Sequence, residues 1–190
     1  MNDFIISSLE KLKKKNIPNA KIDLRVLLNY SKYSKNEIIL SNFDIDQINI
    51  DLFNKVLNRR LSNEPISKII NKKNFWKDEF FVNQFVLDPR PETEGIVEES
   101  IKLIKNKHSS IKILDIGTGS GALAISLARE FTNAKIMATD ISEEAMKVAN
   151  KNINNKKLNN NIKWRKTTLN TINEKTDIID YKPNNWTKNT

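Results

Sequence analysis

The amino-acid sequence predicts an α/β protein: an N-terminal helical bundle, a β-hairpin linker, and then an incomplete Rossmann-like domain built on a parallel sheet. Three observations predict it. Apolar residues repeat at helical spacing through roughly the first 65 residues, with element boundaries good to a few positions. From Ile111 onward short apolar strands alternate with amphipathic helices, the order that builds a parallel sheet. A glycine-rich string, Gly117-Thr118-Gly119-Ser120-Gly121, stands where the first of those strands turns into a helix.

In the bundle, Phe4, Ile5, Leu9 and Leu12 form one apolar stripe, Leu24, Leu27 and Leu28 a second, and Phe53, Val56, Leu57 and Leu61 a third. Pro18 breaks the first helix, and Asn19 is a candidate cap for the next. Helices this short are marginal alone in water, so the stripes are expected to pack on one another. Arg59 and Arg60 point away from the apolar face, and no residue here looks catalytic, which suggests recognition or scaffolding.

The character changes near Pro65. Asn74 to Val82 sets aromatic runs around a charged turn, as a hairpin does, and Phe85, Val86 and Leu87 continue the extended pattern. Asp88-Pro89-Arg90-Pro91-Glu92-Thr93-Glu94 follows. Its prolines fix φ and disfavour helix just before them, so on physical grounds alone it reads as a rigid interdomain linker. A helix can start after Pro91, with Ile96, Val97, Ile101 and Ile104 on one side.

In the alternating region, Ile111–Asp115 is a strand, Gly119–Glu130 holds a helix, and Lys135–Thr139 is a second strand. Ser142 caps a further helix, with Glu143 and Glu144 in the first turn, where the helix dipole favours negative charge. Ile162–Trp164 and Asp177–Ile179 are candidate strands. The Asn/Lys-rich run Asn150–Asn161 reads as a helix end fraying into a loop. The boundaries expected are 1–70 for the bundle, 71–94 for the hairpin and linker, and 95–190 for the sheet domain.

Composition narrows the function classes. The 190 residues are 38% hydrophobic, with 32 Lys and Arg against 23 Asp and Glu, for a formal charge of +9. An excess of that size attracts polyanions. The basic residues are scattered among asparagines, however, so a solvated surface is expected, without direct nucleic-acid binding. The absence of cysteine excludes disulfides and thiolate metal sites, and His108, the single histidine, lies in a polar stretch, so no metal is predicted. No apolar run approaches the ~20 residues that span a bilayer, and no signal peptide opens the chain. A cytoplasmic monomer is expected.

The glycine string carries the chemistry. Glycines at a strand-to-helix turn allow a sharp bend and close approach of a ligand to the backbone, beside free N–H groups of the helix. Asp140 ends the next strand, nineteen residues after Gly121. A carboxylate there can accept hydrogen bonds from both hydroxyls of a ribose, which indicates an adenosine-containing cofactor at the carboxyl edge of the sheet. Two cofactors remain open. Gly117 to Ala122 also satisfies the loose dinucleotide pattern G-x-G-x-x-G/A. Asp115, two residues before Gly117, favours the cationic S-adenosylmethionine over an anionic dinucleotide, unless it only caps the loop backbone.

Three stretches carry a family resemblance. They are Arg60 with Glu64-Pro65-Ile66, Ile69 and Phe75; Pro89-Arg90-Pro91-Glu92-Thr93-Glu94; and Leu114 to Gly121 followed by Ala138-Thr139-Asp140-Ile141-Ser142. Over roughly residues 1 to 160 the chain resembles the release factor glutamine methyltransferases, the PrmC/HemK family. The resemblance implies a helical substrate-recognition domain, a hairpin linker and a class I S-adenosylmethionine-dependent methyltransferase domain. It implies methyl transfer to the side-chain amide of a Gln in peptide chain release factors. Carried over residue by residue, Asp115, Gly117, Thr118, Gly119, Ser120, Gly121, Asp140 and Ile141 would hold S-adenosylmethionine. Pro89, Arg90, Pro91, Glu92 and Thr93 would border the substrate.

The pattern departs from the family further on. An Asn-Pro-Pro-Tyr motif that orients the acceptor amide is expected after the fourth strand, and Lys182-Pro183-Asn184-Asn185 stands at its place. A lysine cannot accept a hydrogen bond. Thr167-Thr168-Leu169 stands where the family has an acid for the adenine. The sequence is therefore read as a truncated or frame-altered member of that family, an inactive form being one of its readings, with its catalytic residues unassigned. The alternatives are a non-catalytic release-factor-binding module, a methyltransferase acting on ribosomal protein or nucleic acid, and a dinucleotide-binding domain.

Overall fold

The structure, a computed structural model, describes residues 3–33, 44–167 and 178–181, the last four by their backbone. It divides into two compact units, residues 1–71 and 72–190.

The first unit is helical: α1 (Asp3–Lys14), α2 (Ala20–Ser31), a 3-10 turn (Ile45–Gln47), α3 (Ile50–Leu61) and α4 (Ile66–Ile70). The three stripes read from the sequence meet, with Ile5, Leu12, Leu24, Leu27, Leu28, Phe53, Val56 and Leu57 buried in one cluster. The rings of Phe4 and Phe53 pack tilted at 49°, 5.0 Å between centroids. Burying side chains of this size contributes about 1.5–3 kcal/mol each, which offsets the ordering of otherwise marginal helices. Arg59 and Arg60 do leave the apolar face. Arg59 forms a two-point bond with Glu64 across the α3–α4 turn, and Arg60 reaches Asp23 on α2 at 2.7 Å.

One local expectation changes here. Asn19 makes no capping bond, because its backbone (φ −109°, ψ 39°) lies outside the extended region a capping residue needs. Asn49 does cap α3, accepting from the Leu52 N–H. The helical part runs past Pro65, where the character of the sequence changes, within the expected bounds of 1–70. Pro65, with φ −60°, leads into α4, and Asn71 closes it in the left-handed conformation. The single turn of α4 buries Ile69 in the same core.

The second unit opens with the hairpin, β1 (Lys72–Phe75) and β2 (Asp78–Phe81), paired antiparallel from Lys72↔Phe81 to Phe75↔Asp78. It continues as α5 (Pro91–Leu103), β3 (Lys112–Ile116), α6 (Ala122–Glu130), β4 (Lys135–Asp140), α7 (Glu143–Asn155), β5 (Ile162–Lys166) and β6 (Ile178–Tyr181). The last four strands form one parallel sheet in the order β5-β4-β3-β6. Counted within the sheet that order is 3-2-1-4, so the succession reverses between β3 and β6, the place where doubly wound sheets take ligands. Helix α6 is buried on nearly every side, as its run of alanine, leucine and isoleucine requires.

The extended pattern expected through Phe85–Leu87 is replaced by a turn. The Asn83 side chain accepts from the Phe85 N–H and its carbonyl from the Val86 N–H, so the asparagine closes a local turn that competes with strand. The proline-rich string lies within the second unit, where Pro91 occupies the first turn of α5, a position that needs no N–H donor. The Asn/Lys run holds a helix end followed by a loop, as expected: α7 continues to Asn155, with Asn152 buried and hydrogen-bonded in its last turns, and residues 156–161 form the loop. Among the described residues no helix is long and apolar enough to cross a membrane.

Candidate functional site

Strand β3 ends at Ile116, and the chain then bends through Gly117 (φ 79°), Gly119 (φ 56°) and Gly121 (φ 78°) before α6 begins at Ala122. The helix therefore starts three residues later than its sequence suggests, because Gly119 and Gly121, both in left-handed conformations, cannot belong to a right-handed helix. The loop is held from below by β4, where the Thr139 carbonyl accepts from both the Gly117 and the Thr118 N–H, at 2.8 and 2.9 Å. Two glycines have distinct reasons to be glycine. A Cβ on Gly121 would come within 3.4 Å of the Ala149 Cβ on α7, so this glycine lets α6 and α7 pack closely. A Cβ on Gly119 would meet nothing nearer than the Gly117 carbonyl at 3.9 Å, so it is the left-handed φ of 56°, not crowding, that calls for glycine there.

Asp140 comes to this loop from the end of β4. Its Oδ2 accepts from the Gly119 N–H at 3.0 Å and its Oδ1 from the Ser142 N–H at 2.9 Å. Each carboxylate oxygen can accept a second hydrogen bond, so the group keeps acceptor capacity for two hydroxyls. Ile141, the next residue, is 52% exposed and gives the rim an apolar side chain. Ser142 caps α7 as its sequence predicts, accepting from the Ala145 N–H.

Asp115 is fully buried at the end of β3, and its Oδ2 accepts from the Thr118 hydroxyl at 2.7 Å. It braces the loop, the simpler of the two roles its position allowed. An acidic side chain under the loop is also compatible with a cationic ligand.

The structure thus brings Asp115, Gly117–Gly121, Asp140 and Ile141 to one edge of the sheet. The string Pro89–Thr93 leads into α5, with Arg90, Pro91 and Glu92 exposed and Pro89 and Thr93 half-buried. Its continuation, Glu94, turns back to the hairpin and accepts from the Trp76 N–H at 2.7 Å. Lys182, Pro183, Asn184 and Asn185 lie outside the described residues, as do Thr168 and Leu169. His108 is exposed, 2.9 Å from the Thr132 hydroxyl.

Two supporting residues escaped the sequence reading. Asn152 bridges the glycine loop and the hairpin. Glu130, at the end of α6, collects Lys77, the Trp76 indole N–H and Lys107 on one nearly buried carboxylate. The Lys77 hydrogen bond, then those of Trp76 and Lys107, push its pKa down to about 2 against the opposing effect of burial. Neither has a sequence signal beyond a polar residue at an inward-facing helical position.

Residues 107–185 match the family model described as a methyltransferase domain. The release factor glutamine methyltransferase of Buchnera aphidicola is 38% identical, over 81% of this chain and 55% of its own length. The chain is a homologue of the release factor glutamine methyltransferases. A bifunctional methyltransferase of Rickettsia felis is also 38% identical, over 75% of this chain and 32% of its own length. Among solved structures, the N-terminal domain of human METTL16 in complex with SAH superposes with a TM-score of 0.42 at 23% identity, covering 48% of this chain and 37% of that one. This homologue spans about half the length of the curated release factor glutamine methyltransferases it matches. Its domain is of the S-adenosylmethionine-dependent class, and the parallel 3-2-1-4 sheet with a glycine loop after the central strand is the corresponding Rossmann-like fold.

Proposed function

We propose that this chain binds S-adenosylmethionine on the Gly117–Gly121 loop and Asp140, and serves methyl transfer to the side-chain amide of a Gln in a peptide chain release factor. The observation that carries the reading is the meeting of Gly119 and Asp140: an open glycine backbone and a carboxylate with spare acceptor capacity, bonded to each other at the sheet edge. Asp140 would accept the ribose hydroxyls. The N-terminus of α6, which has no side-chain cap, would face the carboxylate of the methionine moiety. Asp115 would add an acidic side chain under the loop, compatible with the amino and sulfonium groups, and Ile141 an apolar surface for the adenine.

The bound cofactor supplies an electrophilic methyl group. An amide nitrogen is a weak nucleophile because its lone pair is delocalised, so the rate depends on orienting it and accepting its hydrogens. Pro89–Thr93 is proposed to border that acceptor amide. The release-factor substrate is supported by the names of the relatives and by the Pro-Arg-Pro-Glu-Thr-Glu string. Residues 1–70 are proposed as the recognition domain, and a release factor as the partner.

Calorimetric titration of S-adenosylmethionine into the 190-residue chain tests the cofactor site, and NADH is the competing ligand. Methyl incorporation into release factor, with ribosomal RNA and ribosomal protein as comparison substrates, tests the acceptor. Saturable S-adenosylmethionine binding with release-factor methylation is the expected result. Binding of release factor without incorporation would replace the enzyme by a docking module, and binding of NADH alone would overturn the cofactor assignment.

A further inference from the structure

Asn152 lies in the third turn of α7 and is 2% exposed. Its Oδ1 accepts from the Phe81 N–H at 2.8 Å, while its Nδ2 donates to the Phe81 carbonyl at 2.9 Å and to the Ser120 carbonyl at 2.8 Å. The side-chain amide pairs with β2 at two points, as a neighbouring strand would. Its remaining N–H crosses to the glycine loop, so both amide hydrogens are used.

The Ser120 carbonyl belongs to the same planar peptide as the Gly121 N–H. Holding one fixes the direction of the other, and the Gly121 N–H closes the loop turn onto the Thr118 carbonyl at 2.9 Å. We propose that Asn152 is the positioning residue of the cofactor loop, locking the Ser120–Gly121 peptide and coupling it to the hairpin strand that leads into Pro89–Glu94. The ligand in this inference is the one assigned under Proposed function. The coupling itself is a property of the chain without ligand.

A second contact network serves as the control. Glu130 holds the other end of the hairpin through Trp76 and Lys77 and makes no hydrogen bond with the Ser120 peptide. Asn152→Ala removes all three bonds. Asn152→Asp keeps side-chain volume and the acceptor for the Phe81 N–H but turns a carboxylate oxygen toward the two carbonyls, so it provides a second variant should alanine fail to fold.

The experiment pairs amide hydrogen exchange of the cofactor-free chain with calorimetric titration of S-adenosylmethionine. Both Asn152 variants are expected to speed exchange at Gly119 and Gly121 and to weaken cofactor binding, each by about ten-fold or more, the effect of stranding one buried carbonyl. Glu130→Gln is expected to lower the melting temperature while leaving both readings unchanged. Faster exchange at Phe81 with unaltered Gly119 and Gly121 would overturn the proposal, reducing Asn152 to a partner of the hairpin. If the unaltered chain fails to bind S-adenosylmethionine, the cofactor reading falls, and the exchange rates still decide the coupling.

Discussion

Replacing Glu130 by Gln tests the electrostatics that fasten the hairpin to α6. The carboxylate is nearly buried and receives Lys77, the Trp76 indole N–H and Lys107. The fall of its pKa from 4.5 to about 2 corresponds to roughly 3 kcal/mol at about 1.4 kcal/mol per pH unit. That is a ceiling, because the Lys77 and Lys107 side chains are 66% and 49% exposed, and water and salt screen them. A cost of about 1–2 kcal/mol for Glu130→Gln at neutral pH is expected after that discount. The sign follows from the direction of the shift. The folded pKa lies below the unfolded one, so the contribution is fully present above pH 4.5 and is lost as pH falls toward about 2. Urea unfolding of both proteins across that range is the assay, with the Trp76 indole N–H resonance as a local reporter. The gap in stability should shrink steadily below pH 4.5, and so should its sensitivity to salt. A gap that stays constant down to pH 2 would refute the reasoning, leaving only packing as the role of Glu130.

Three further outcomes follow from the same structure. Gly121→Ala forces a Cβ into a backbone with φ 78° and against Ala149, and should cost about 1–2 kcal/mol in thermal unfolding together with a loss of S-adenosylmethionine affinity by calorimetry. Glu94→Ala strands the N–H of Trp76, whose own φ of 54° is unusual for a bulky residue. It should destabilise the second unit by about 1–3 kcal/mol in denaturant titration, against no change for Glu92→Ala on the exposed side of the same turn. Asp23→Ala leaves Arg60 without its partner on α2, where both side chains are nearly buried, and should cost about 2 kcal/mol or more in the stability of the bundle, read by circular dichroism.

How legible the protein was depended on the reach of each interaction. The apolar stripes of α1, α2 and α3 obey a period that is written along the chain, so the bundle core was readable residue by residue. Asn19 and Phe85–Leu87 misled because propensity was read without backbone geometry: Asn19 sits at the wrong ψ to cap, and Asn83 draws the chain into a turn. Asn150–Asn161 does end a helix and enter a loop as read, but its burial was missed for a different reason. A run of asparagines and lysines looks solvated, yet one of those asparagines is among the most enclosed polar groups of the second unit.

By itself, the sequence determined whatever its near neighbours dictate. The glycines between β3 and α6 bend the chain with no help from distant residues, Ser142 caps its own helix, and Pro91 sets the start of α5. The tertiary structure alone decided that Asn152 reaches Phe81 across 71 positions and that Glu130 reaches Trp76 across 54. It likewise decided that the Asp140 carboxylate closes on Gly119 from a separate strand. A buried polar group takes the partner that folding brings within hydrogen-bond distance, and that distance is set by the order of strands in the sheet, which leaves no mark on the residues on either side.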